Sequence, residues 1–146
     1  MPLNKWFSFQ RWIGMTLLLL MTSGCESDHD VLPGVGNWRV INYWAIWCTP
    51  CREEIPELNR LDQLTDITVL GVNFDGKEGA ELEQHIAEMA IAFAVLDTDP
   101  SGSVSAKRPQ VLPTTLLIDP QGQLQKTLVG PQTEEAIVAI LTGLGR

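Results

Sequence analysis

Cys48 and Cys51 stand two residues apart in the run WAIWCTPCR, where a hydrophobic segment meets a charged one. Cysteines at this spacing can form a dithiol–disulfide couple, half of a zinc site, or a structural bridge. A zinc site built on such a pair needs two further ligands, usually a second cysteine pair or paired histidines. His29 and His85 are far apart in the chain and neither belongs to a ligand pair, so no metal is expected. A bridge across two intervening residues closes a loop too small to restrict the unfolded chain much. Redox chemistry is therefore the favoured reading, and no cofactor is expected.

The position of the pair gives the two sulfurs different roles. The first lies at the start of an expected helix, where unpaired backbone N–H groups and the helix dipole favour a thiolate. Such placement lowers a thiol pKa from about 8.5 toward neutrality or below, which suits Cys48 to attack a disulfide. Cys51, nearly one helical turn on, can reach back and resolve the mixed disulfide. Pro50 is tolerated between them because its missing N–H has no helical partner to lose.

The elements that must hold this pair follow from periodicity. Trp38 to Ile46 is dense in aromatic and β-branched residues and predicts a buried strand. A helix is expected from Thr49 to about Leu64, with Ile55, Leu58, Leu61 and Leu64 as its apolar stripe. Glu53 and Glu54 favour its positive end, and Pro56 should kink it. Ile67 to Phe74 reads as a strand covered on both faces. Asp75 and Glu78 resemble a capping box for a helix burying Leu82, Ile86 and Met89, which leaves His85 facing solvent. Phe93 to Leu96 is a short strand. Asp97 to Leu112 is a connection of 16 residues, longer than compact domains usually leave idle. Thr114–Ile118 and Gln123–Val129 are strands joined by the turn sequence Asp119-Pro120-Gln121-Gly122. Thr133 to Leu141 closes the chain as a helix with Ala136, Ile137, Ile140 and Leu141 inward. The expected class is α/β: βαβαβ, then a ββ hairpin and a C-terminal helix, with a central mixed sheet flanked by helices.

The chain of 146 residues carries a net charge of -8. Lys5 and Arg11 are the only charges in the first 24 residues, so the rest holds 8 basic and 18 acidic side chains. An acidic surface of this kind repels phosphate backbones, and no nucleic-acid partner is expected. The basic start, the short apolar core Ile13–Met21 and the small residues before Cys25 predict an export signal over residues 1–24. Thr22-Ser23-Gly24-Cys25 resembles a bacterial lipobox, although Thr22 stands where Leu is usual. Cys25 would then be acylated, residues 25–37 would form a polar spacer, and residues 38–146 the domain. This places the domain at the periplasmic face of a bacterial membrane, tethered by lipid.

Trp44-Ala45-x-Trp47-Cys48-x-Pro50-Cys51-Arg52-x-Glu54-x-Pro56 and Leu112-Pro113-Thr114-Thr115-Leu116-Leu117-Ile118-Asp119 together resemble the thioredoxin fold, in its TlpA/ResA-like exported branch. The similarity runs roughly from Val40 to Leu141. It implies a cis peptide before Pro113, beside a Cys48–Cys51 redox disulfide. Leu112 would then be free to pair with an extended substrate. Trp47, Thr49 and Pro50 would contribute to the same contact surface. Glu54 matches the acidic residue of this branch, and thioredoxin's buried Asp is replaced by Asn42. Proton transfer with Cys51 therefore falls to Glu54. Two features depart from the family: little precedes Trp38 in place of an N-terminal strand, and Arg108-Pro109-Gln110-Val111 replaces the usual step before the proline. The resemblance implies a monomeric thiol–disulfide oxidoreductase that draws electrons from a membrane thiol reductase. It would pass them to oxidised exported proteins such as apocytochrome c. The alternative is a non-catalytic or metal-delivery module on the same fold, of the copper-chaperone kind.

Overall fold

The computed structural model describes residues 32–146. The expectations for the export signal, for Cys25 and for the first part of the spacer lie outside the described residues. Eight elements follow in the expected order: β1 (Trp38–Trp44), α1 (Thr49–Leu61), β2 (Ile67–Asn73), α2 (Gly79–Glu88), β3 (Ala94–Leu96), β4 (Thr114–Ile118), β5 (Leu124–Val129) and α3 (Glu134–Gly143). The strands make one mixed sheet in the order β3-β2-β1-β4-β5. β1 is its centre, parallel to β2 and antiparallel to β4. Every residue of β1 is buried, in keeping with its density of aromatic and β-branched residues. Its two polar residues are bonded inside the fold, Arg39 to the Asp119 carbonyl and Asn42 to Glu54 and Thr115.

Successive side chains of a strand point to opposite faces, and β1 shows the consequence. Val40 and Trp44 join the core formed with Ile55, Leu58 and Leu61 of α1 and Ile137 and Leu141 of α3. Leu82 of α2 and Met89 just after it belong to the same cluster. Ile41 and Tyr43 face the other way, toward Leu70, Val72, Leu116, Ile118 and Val104. No helix covers this second face among the described residues. The long connection between β3 and β4 closes it instead, with buried Val104 and partly buried Ala106 and Leu112. That is the structural use of its length.

Several boundaries differ from expectation for local reasons. β1 stops at Trp44, whose carbonyl accepts from Phe74 N–H, and the chain then turns through the Cys48 N–H to Ala45 carbonyl bond. α1 runs through Pro56 and ends at Leu61, and the Asp62 carboxylate accepts from Val69 N–H. The capping box predicted at Asp75 does not form: α2 starts at Gly79 after Glu78, with no side-chain cap. Thr133 caps α3 through its hydroxyl, but Ala136 is exposed, and Val138 packs on the core instead. His85 is half-buried rather than solvent-facing, and its Nδ1 has no hydrogen-bond partner.

Gly71, in the middle of β2, sits where an added methyl group would press on its neighbours. A Cβ there would lie 3.0 Å from both the Phe93 ring and Trp44 Nε1, and 3.1 Å from Val95. Gly71→Ala is therefore expected to destabilise the domain by about 1–3 kcal/mol, as overpacked cores do. Urea unfolding checks this, and an unchanged midpoint would show that these rings can move.

Candidate active site

Cys48 is the N-cap of α1, and its sulfur accepts a hydrogen bond from Cys51 N–H at 3.2 Å. The sequence achieves this because extended backbone at Cys48 is followed directly by Thr49 and Pro50, which open the helix. The two cysteines form a disulfide. Cys51 is wholly buried, whereas Cys48 keeps a small exposed edge (3%). Thr49 beside it is exposed and Pro50 half-buried. Of the two, only Cys48 keeps any exposure, and its sulfur receives a backbone N–H, an arrangement that favours its thiolate when reduced.

Antiparallel pairing places the start of β4 beside the end of β1. The segment before β4 thus lies at the same end of the sheet as the cysteine turn. The Leu112–Pro113 peptide is cis, and Gly130 N–H donates to the Pro113 carbonyl at 2.9 Å. Among the described residues, neither the N–H nor the carbonyl of Leu112 has a hydrogen-bond partner. Its side chain packs against both core clusters.

Glu54 is not a first-turn acid on a wet face. It lies in the second turn of α1, three residues beyond Cys51 and on the same buried stripe, and is 1% exposed. Asn42 projects from β1 onto this face. Its Nδ2 donates to Glu54 Oε1 at 2.6 Å and to Thr115 Oγ1 at 3.0 Å, while its Oδ1 has no partner. Gln132 N–H donates to Glu54 Oε2 at 3.0 Å from the loop before α3. Burial pushes the Glu54 carboxyl up to about 7, against the hydrogen bonds from Gln132 and Asn42 that favour its charged form. A carboxyl poised near neutrality can take or return a proton under ordinary conditions.

Trp44 and Trp47 have opposite fates. Trp44 is core, while Trp47 beside Cys48 is 61% exposed. Its indole N–H donates to Asp75 Oδ2 at 2.9 Å, which is the role Asp75 takes instead of capping α2. The Trp47 ring meets Phe74 edge-on, 6.4 Å between centroids. Sequence reasoning missed this Asp75 contact and the Gln132 N–H. The latter comes from main chain 78 positions beyond Glu54, so no side-chain type announces it. Among the described residues, no three His, Cys, Asp or Glu side chains group as they would around a metal ion.

Residues 22–127 match the AhpC/TSA family. Among similar proteins, the thiol-disulfide oxidoreductase ResA of Geobacillus thermodenitrificans is 29% identical over 129 residues, covering 86% of this chain and 74% of its own length. The thiol:disulfide interchange protein DsbE homolog of Paracoccus denitrificans is 36% identical over 104 residues, 70% of this chain. The match spans only 55% of that relative's length. The crystal structure of StoA from Bacillus subtilis shares the fold, with a TM-score of 0.58 at 22% identity, covering 72% of this chain and 82% of its own.

Proposed function

The chain belongs to the AhpC/TSA family and is a thiol–disulfide oxidoreductase, and on that premise we propose that it reduces disulfides of exported proteins. The observation that carries this reading is the exposed edge of Cys48 at the start of α1, with a backbone N–H on its sulfur. In the reduced state the Cys48 thiolate attacks a substrate sulfur, the substrate S–S bond breaks, and a mixed disulfide forms. The departing substrate thiolate takes up a proton. Glu54 then accepts the Cys51 proton, and the Cys51 thiolate attacks the Cys48 sulfur. The second substrate thiol leaves, two electrons have moved to the substrate, and the Cys48–Cys51 disulfide remains. Trp47, Thr49 and Pro50 border the attacking sulfur, and Leu112 offers its unpaired backbone groups to an extended substrate segment beside Pro113.

In the same reading, the domain works in the periplasm, held to a bacterial membrane through acylated Cys25. A membrane thiol reductase returns its electrons. Oxidised apocytochrome c is one substrate of the right chemistry. The basic start and short apolar core of residues 1–24 support the location, and the family resemblance supports the direction. Direction is a matter of reduction potential, so equilibration with glutathione buffers tests it. A potential near or below about −200 mV fits a reductant, whereas one near about −120 mV would make the protein an oxidant. Catalysed insulin-disulfide reduction with dithiothreitol tests the activity itself; a rate no faster than dithiothreitol alone would contradict it.

A further inference from the structure

A chain of contacts that the exchange chemistry does not use leads from the sheet to Trp47. Tyr43, on the face of β1 opposite Asn42, donates its hydroxyl to Asp99 Oδ1 at 2.7 Å. The Asp99 carboxylate also accepts from Ser101 N–H at 2.9 Å and, through Oδ2, from Arg108 Nε at 2.8 Å. Burial alone would raise the Asp99 carboxyl, but the bonds from Tyr43, Ser101 and Arg108 outweigh it and hold it below its ordinary range. Arg108 Nη2 then donates to the Phe74 carbonyl at 2.7 Å, and its guanidinium lies 4.8 Å from the Phe74 ring centre. Phe74 is the ring against which Trp47 leans.

One guanidinium thus joins three segments of the chain. They are the start of the β3–β4 connection at Asp99, the β2–α2 loop at Phe74, and the approach to Leu112 and Pro113. The pair with Asp99 is partly exposed, with 45% and 25% of the two side chains accessible. Such a pair contributes at most about 1 kcal/mol to stability. Its larger consequence is geometric, because a planar fork fixes the direction of two acceptors at once, which a lysine cannot do. Trp47 needs outside support of this kind: it is mostly exposed and is held by one edge contact and one hydrogen bond.

We propose that Arg108 is a positioning residue for polypeptide substrates, holding Trp47 through Phe74 and the Leu112 segment through its own backbone as two walls of one groove. This rests on the exchange reading above. A small disulfide needs only the Cys48 sulfur, whereas a protein disulfide must also lie along Trp47 and Leu112. Arg108 therefore acts on recognition and leaves the chemistry of the pair alone.

The test compares Arg108→Met, which keeps an apolar stem over Phe74 but loses every donor, with Arg108→Lys and Phe74→Leu. Each is assayed with insulin and with 5,5′-dithiobis(2-nitrobenzoate), alongside thermal unfolding and the NMR resonance of the Trp47 indole N–H. For Arg108→Met, KM for insulin is expected to rise roughly tenfold, as uniform binding lost without a change in kcat would produce. The small disulfide should react as before, and the indole resonance should shift. Phe74→Leu should reproduce the selective loss, and Arg108→Lys should restore it only in part. Equal losses on both substrates, no loss on either, or an unmoved indole resonance would overturn the proposal. If Arg108→Met fails to fold, the other two variants decide by the same criteria. The indole resonance is read without substrate, so it separates a failure of positioning from a wild type that catalyses no exchange.

Discussion

Cys48→Ser is expected to abolish disulfide exchange, lowering the rate by roughly a thousandfold or more, as loss of a nucleophile does in enzymes that act through one. The size of the effect follows from the asymmetry of the pair. Cys51 is wholly buried, so it cannot take over attack on a protein disulfide when the Cys48 sulfur is gone. Serine would fit the N-cap at least as well as cysteine and accept the same N–H. The fold should therefore persist and the loss should be chemical. Insulin reduction measures the rate, and circular dichroism checks the fold. Retention of a substantial fraction of the rate would mean that Cys51 can be reached, contrary to its burial.

Glu54→Gln should change how stability depends on pH. The folded carboxyl titrates at about 7, above its ordinary 4.5, because burial penalises the charge. Below about pH 4.5 the group is protonated both folded and unfolded, and its contribution to stability is fully present. As pH rises toward 7 the unfolded chain ionises freely while the folded one does not, so stability falls across that window. The shift amounts to roughly 3 kcal/mol, lost by pH 8. Glutamine removes this slope. Its amide can be accommodated, since Asn42 Oδ1 has no partner and can turn to accept from it. Urea unfolding at pH 5 and pH 8 should show wild type losing roughly 2–3 kcal/mol more than the variant over that range. Resolution by Cys51 should also lose its pH dependence near neutrality. Parallel stability curves would mean that Glu54 titrates as an exposed acid, and the proton of Cys51 would need another acceptor.

Much of this site could be read from residue types because the relevant rules are local. Segments dense in apolar, aromatic and β-branched residues at Trp38–Trp44 and Ile67–Asn73 announce buried strands, and the cysteine spacing plus Pro50 announces a helix start. The cis peptide at Leu112–Pro113 followed from family resemblance, since nothing local distinguishes it from a trans bond. What escaped was set by tertiary contact. Asp75 has the spacing of a helix cap, yet the exposed Trp47 indole claims its carboxylate. Glu54 is singled out by the family resemblance, but the contacts that hold it are not: the stripe through Cys51, Ile55 and Leu58 carries it inward to Asn42 and the main chain of Gln132. The β3–β4 connection lacks any periodic pattern, and only the folded sheet shows that it covers a face.

The central claim is that Cys48 is the attacking sulfur and Cys51 the one that releases the substrate. Incubating reduced Cys51→Ser with an oxidised protein substrate, quenching in acid and mapping the products by mass spectrometry tests it directly. A persistent mixed disulfide through Cys48 is expected, absent from wild type and from Cys48→Ser. Capture through Cys51 in Cys48→Ser, or no captured species in Cys51→Ser while wild type turns over, would contradict it.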